Sequence, residues 1–127
     1  MAKILVVDDD DHVRDSVCTV LEVDGHQVVP FENGRRAMET LQRDQDFDVV
    51  ITDLFMPVMD GIELIREIVK FDRSMKIVAV SGLSAAVPPN FLDSIRHLGV
   101  AATLRKPCSG DQIVSTVREL VARQDHR

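Results

Sequence analysis

The chain has 127 residues, 45% of them hydrophobic and 28% charged, which suffices for one core and leaves no room for a second domain. Fifteen Lys and Arg against 21 Asp and Glu give a net charge of −6, and no basic run offers phosphate-backbone contacts, which argues against direct nucleic-acid binding. No stretch reaches the ~20 apolar residues of a membrane span, and the N-terminus enters a strand-like run without a secretory signal, so the expected location is the cytoplasm.

Ile4–Val7 is a short Ile/Val-rich run that reads as a strand. Val13, Val17, Val20 and Leu21 then fall on one helical face, and Gly25 stands where a glycine would end that helix. Val28–Phe31 reads as the second strand, and Ala37, Met38 and Leu41 mark a second helix. Val49–Thr52 is the third strand, followed by Ile62, Ile65, Ile68 and Val69 at helical spacing. Ile77–Val80 is the fourth. Phe91, Ile95 and Leu98 keep helical spacing after it, but Val87-Pro88-Pro89 forces an extended entry, so this helix should be short and start near Asn90. Ala101–Leu104 is the fifth strand, and Ile113, Val114, Val117, Leu120 and Val121 form the last helical face. The strand runs are nearly continuous rather than alternating, which suits a parallel sheet covered on both faces. Five strands alternating with five helices through short connections predict a doubly wound α/β domain over residues 1–127.

In such a sheet, ligands bind beyond the carboxyl ends of the strands. The first strand ends in Asp8-Asp9-Asp10-Asp11, the third in Asp53, the fourth in Ser81-Gly82 and the fifth in Arg105-Lys106-Pro107. Acids are concentrated in this half of the chain: residues 1–60 hold fourteen against five bases (−9), whereas residues 61–127 hold seven against ten (+3). Asp8, Asp9 and Asp53 converging on one crevice would repel one another unless a cation were bound. A hard divalent ion such as Mg²⁺ answers that need, since it takes one or two carboxylates and leaves room for a phosphate oxygen. Asp10 and Asp11 read instead as a helix cap and a dipole match. His12, His26, His97 and His126 share no metal-like spacing and read as surface or helix-end residues. Cys18 falls beside the first helix's apolar face and reads as core, and both it and Cys108 read as reduced thiols.

Val6-Val7-Asp8-Asp9-Asp10, Asp53 through Asp60-Gly61 with Met56-Pro57 between, Ser81-Gly82 and Lys106-Pro107, in this order along the chain, resemble the receiver domain of two-component response regulators. The resemblance covers the whole chain. It implies a flavodoxin-like sheet of order 2-1-3-4-5 and a single receiver domain without an output domain. By the same resemblance, Asp53 accepts a phosphoryl group from a sensor histidine kinase or phosphotransfer protein. Asp9, Asp53 and the Phe55 carbonyl would hold Mg²⁺, with Asp8 acting mostly through water. Lys106 would pair with Asp53 at rest and with a phosphate oxygen afterwards, Ser81 would donate its hydroxyl to the phosphoryl group, and the Lys106–Pro107 bond would be cis. The implied role is a phosphorylatable switch that changes affinity for a protein target, not a turnover enzyme.

The chain also departs from the family pattern. Thr103 stands where many receivers carry a switching aromatic ring, and Cys108 where Phe often follows Lys-Pro. Phe55 and Leu83 occupy positions that in this family tune hydrolysis of the acyl phosphate, and two apolar groups there should make the phosphoryl state long-lived. Two other readings fit parts of the pattern. Asp8-x-Asp10 after a strand mimics the nucleophile motif of haloacid-dehalogenase phosphatases, although His12 replaces the expected Thr or Val. The altered Thr103 region fits a phosphorylation-independent interaction module on the same fold.

Overall fold

In the computed structural model, which describes residues 1–56, 58–82 and 90–124, the apolar runs form β1 (Lys3–Val7), β2 (Gln27–Phe31), β3 (Val49–Asp53), β4 (Lys76–Ser81) and β5 (Ala102–Arg105). Between and after them lie α1 (Asp11–Val23), α2 (Gly34–Arg43), α3 (Gly61–Phe71), α4 (Phe91–Arg96) and α5 (Gly110–Gln124). Leu83, Val87, Pro88, Pro89 and His126 fall outside the described residues. All strand pairs are parallel, and the sheet order is β2-β1-β3-β4-β5. The expected order and the doubly wound architecture are both present.

The strand period of two sends alternate side chains to opposite faces. Leu5 and Val7 of β1 join α2, α3 and α4 in one core, whereas Ile4 and Val6 join α1 and α5 in the other. β1, β3 and β4 are covered on both faces, as their continuous apolar runs predicted. β2 and β5 depart from that expectation: at the sheet edges they keep exposed or half-buried positions throughout. Pro30, which lacks an N–H, is tolerated in β2 because it is an edge strand.

Local chemistry sets the helix ends. Asp10, Asn33 and Asp60 cap α1, α2 and α3 by accepting backbone N–H bonds from their first turns. Before α5, Ser109 and Gln112 exchange side-chain to backbone bonds of 2.8 and 3.1 Å, a capping box. Gly25, at φ +92°, ends α1 in the left-handed region. α4 spans six residues after Asn90, as the preceding prolines predicted. Cys18 is buried and both cysteines are free thiols. His26 is a helix-end residue, its N–H donating to the Leu21 carbonyl of α1, and its side chain is tucked in. Its Nδ1 accepts from the Ala2 N–H, its Nε2 faces Asp24, and Asp24 in turn is held by Arg118 of α5. Among the described residues, no helix is long and apolar enough to cross a membrane.

Candidate functional site

Parallel pairing brings every strand's carboxyl end to one edge, so Asp8, Asp53, Ser81 and Lys106 meet there although 98 residues separate the first from the last. Asp8, Asp53 and Ser81 are buried, Asp9 is exposed and Lys106 is half-buried. One carboxylate oxygen from each of Asp8, Asp9 and Asp53 lies within 4.8 Å of the others. The Lys106 Nζ lies 3.1 Å from Asp8 Oδ2 and 3.6 Å from Asp53 Oδ2. The expected pairing of Lys106 with Asp53 is therefore shared, and Asp8 is the nearer partner.

The backbone holds these groups in place. The Lys106 N–H donates to the Ser81 carbonyl at 2.7 Å, tying the lysine to the end of β4, and the Lys106–Pro107 bond is cis. Asp8 accepts the Asp10 N–H at 2.9 Å, and Arg14 of α1 donates to the Asp8 carbonyl at 2.7 Å. Asp53 Oδ1 accepts from its neighbour's Leu54 N–H at 2.9 Å, leaving Oδ2 toward Lys106. Behind Asp53 the start of α3 presses on the strand end, and the Gly61 N–H donates to the Leu54 carbonyl at 3.0 Å. A β-carbon at Gly61 would lie 2.1 Å from the Asp53 carbonyl oxygen, so only glycine fits this approach. The loop between them carries Val58 at φ +73°, a strained conformation for a β-branched residue.

The electrostatics follow from burial. Desolvation pushes the Asp53 carboxyl above its ordinary pKa, Asp8 and Asp9 push the same way, and Lys106 and the Leu54 N–H oppose them. For Lys106, burial works against the charge, but the carboxylates of Asp53 and Asp8 outweigh it and hold the ammonium above its ordinary value. Three carboxylates facing one ammonium leave a surplus of negative charge. This donor set of hard oxygens suits a divalent cation, and the cation would relieve the repulsion.

Other residues fall as follows. Asp10, the second acid of the phosphatase-like motif, caps α1 through bonds to the His12 and Val13 N–H groups, which removes it from the site. Ser81 donates to the Gly82 carbonyl at 3.2 Å. Thr103 accepts from Arg96 of α4 at 3.2 Å, a polar tie between α4 and β5. A cavity of about 600 Å³ opens between α1 and α5, walled by Val13, Val17, Val20 and Ile113 and reaching Asp8 and Lys106. Sequence reasoning missed two contacts: the Lys106–Asp8 pair, and the stacking of Phe55 on Phe91 with ring centroids 5.7 Å apart. Residue 55 lies in the loop after β3 and residue 91 opens α4, and they share no periodicity, so only the assembled fold could show the second.

Comparison with known proteins agrees with this geometry. The family model of the response regulator receiver domain matches residues 4–118. The response regulator receiver protein CpdR of Brucella abortus is 34% identical over 121 residues, a match that takes in 95% of this chain and 98% of that protein. Other relatives are longer: the chain spans 34% of the transcriptional regulatory protein YesN of Bacillus subtilis, at 32% identity, and 13% of the sensor kinase CckA of Brucella abortus, at 33%. Among solved structures, a response regulator receiver domain protein from Clostridium thermocellum superimposes with a TM-score of 0.86 at 26% identity, covering 98% of both chains. A CheY-like receiver protein from Methanospirillum hungatei, 23% identical, shares the fold with a TM-score of 0.88 over 100% of this chain and 99% of its own. The chain belongs to the response regulator receiver domain family.

Proposed function

We propose that this chain is a phosphorylatable switch of a two-component phosphorelay, with Asp53 as the phosphoacceptor and residues 1–127 forming one receiver domain. One observation carries the reading: a buried carboxylate, Asp53, faces a lysine ammonium at 3.6 Å within a cluster of three acids. The donor is a phosphohistidine on a sensor kinase or phosphotransfer protein. Asp53 Oδ attacks phosphorus, the bond from phosphorus to the imidazole nitrogen breaks, and an acyl phosphate forms as the imidazole regains its lone pair. Asp9, Asp53 and the Phe55 carbonyl would hold Mg²⁺, with Asp8 behind them, and the ion supplies neutralisation of the charge on the transferring group. Lys106 releases Asp53 as its carboxylate is esterified and keeps its ammonium for a phosphoryl oxygen. Ser81 turns its hydroxyl from the Gly82 carbonyl to another phosphoryl oxygen, which draws the end of β4 inward. That movement alters binding to a protein target. The phosphoryl group stays on the chain until water removes it, so the protein acts on itself and turns over no separate substrate.

Intact-mass spectrometry after incubation with Mg²⁺ and acetyl phosphate tests this. One added phosphoryl group is expected, absent without Mg²⁺ and absent in Asp53→Asn. No adduct on a chain that demonstrably binds Mg²⁺ would overturn the proposal in favour of a phosphorylation-independent module.

A further inference from the structure

We infer that Arg14 is a positioning residue for divalent-cation binding, because its guanidinium holds the peptide that joins Asp8 to Asp9. The inference rests on the reading of Asp8, Asp9 and Asp53 as a Mg²⁺ site. Asp9 is exposed, so packing does not direct its carboxylate and the backbone on either side of it must. The peptide after Asp9 carries the Asp10 N–H, which donates to Asp8 Oδ1 at 2.9 Å. The peptide before it carries the Asp8 carbonyl, which lies beyond the paired register of β1 with either neighbouring strand. Arg14 supplies the missing partner: its Nη1 donates to that carbonyl at 2.7 Å. Both peptides flanking Asp9 are thereby held, one by Asp8 and the other by Arg14.

The arginine is itself held firmly. It closes the first turn of α1, where its own N–H donates to the Asp10 carbonyl at 2.9 Å, and its side chain is only 15% exposed although it carries a full charge. The second arm of the fork, Nη2, pairs with Asp11, so the planar guanidinium is fixed at two points. Charge and geometry then pull in opposite directions. On charge alone, a guanidinium beside the acids repels a second cation and weakens its binding. On geometry, a carboxylate already aimed at the site loses less freedom when it takes up an ion, and groups that orient metal ligands are typically worth roughly 10- to 100-fold in affinity. Without the bond from Arg14, the Asp8–Asp9 peptide is free to rotate and carries the Asp9 carboxylate off the cluster. The opposite signs make the two roles separable by experiment.

The test is calorimetric titration of Mg²⁺ into the metal-free chain, unmodified and as Arg14→Met and Arg14→Lys, with urea midpoints to establish that each is folded. Arg14→Met keeps the apolar stem and removes a positive charge from beside the acids, yet it should bind Mg²⁺ roughly tenfold or more weakly. Arg14→Lys, which keeps the charge and a donor but not the fork, should lie between the two. Labelling of Arg14→Met by acetyl phosphate should be slow at limiting Mg²⁺ and return to within about twofold of the unmodified rate at saturating Mg²⁺, a split that general damage to the site would not produce. Mg²⁺ affinity in Arg14→Met equal to or above that of the unmodified chain would overturn the inference and leave the Mg²⁺ site standing, as would labelling that stays slow at saturating Mg²⁺. If Arg14→Met does not fold, Arg14→Lys decides: weaker binding supports the inference and unchanged binding overturns it. No binding of Mg²⁺ by the unmodified chain would overturn both the inference and the site on which it rests.

Discussion

Replacing Gly61 with alanine should loosen the joint between β3 and α3 on which Asp53 rests. The new β-carbon would lie 2.1 Å from the Asp53 carbonyl oxygen, 2.7 Å from Leu54 Cα and 2.9 Å from the Asp53 carbonyl carbon. All three are backbone atoms, so no side chain can swing aside. Ordinary contact begins at 3.4 Å, and the two segments must therefore part by more than about 1 Å. Overpacking of this kind costs roughly 1–3 kcal/mol. The parting also breaks the 3.0 Å bond from the Gly61 N–H to the Leu54 carbonyl, which contributes about 1 kcal/mol. A loss of about 2–4 kcal/mol is a large fraction of the roughly 5–15 kcal/mol that holds a domain together. In urea it should lower the midpoint by roughly 1–2 M with little change in slope. Because the Leu54 N–H also orients Asp53 Oδ1, labelling of the folded fraction by acetyl phosphate should slow by at least about tenfold. Gly82→Ala is the control, since nothing lies within 4 Å of its β-carbon position, and it should unfold within about 0.5 kcal/mol of the unmodified chain. A Gly61→Ala chain with an unchanged urea midpoint would refute the reasoning.

Val58→Asn should stabilise the protein by about 0.5–1.5 kcal/mol, because asparagine tolerates the φ of +73° that strains an exposed valine; a lower melting temperature in calorimetry would count against it. Mg²⁺ at about 100 times its Kd should stabilise the folded chain by about 2.7 kcal/mol, and a shift that survives intact in Asp9→Asn would remove Asp9 from the ligand set. The raised pKa of Asp53 means that its proton is held more tightly in the folded chain, so the ionised carboxylate costs stability at neutral pH and the cost fades as pH falls toward its ordinary value of 3.8. Metal-free Asp53→Asn should therefore be more stable than the unmodified chain at pH 7 and lose that advantage below about pH 4; equal urea midpoints at pH 7 would contradict it.

The architecture was legible because each element announces itself locally. Ile and Val runs mark the strands, Asp10 precedes an apolar helical face as a cap, and Gly25 ends α1. What the pattern does not carry is a strand's neighbours. β2 and β5 read like the central strands yet lie at the edges, and the one local hint was Pro30, whose missing N–H suits only a strand with a free side. The strand order itself came from resemblance, since alternation of strand and helix is equally consistent with other windings.

The site divides along the same line. Residues directly at strand ends can be assigned to one edge from the sequence, because a parallel sheet converts position along the chain into position at that edge. Asp8, Asp53, Ser81 and Lys106 are all of this kind. Contacts made by side chains reaching between loops obey no such rule. Lys106 must cross the end of β4 to meet a carboxylate, and whether it meets Asp8 or Asp53 depends on where the Ser81 carbonyl holds its backbone. Phe55 and Phe91 meet because one follows β3 and the other opens α4, which packs on the same face of the sheet as α3. Sequence thus specifies the charged groups of the site through the sheet, while a contact such as Phe55 on Phe91 is settled only by how α4 packs beside the loop after β3.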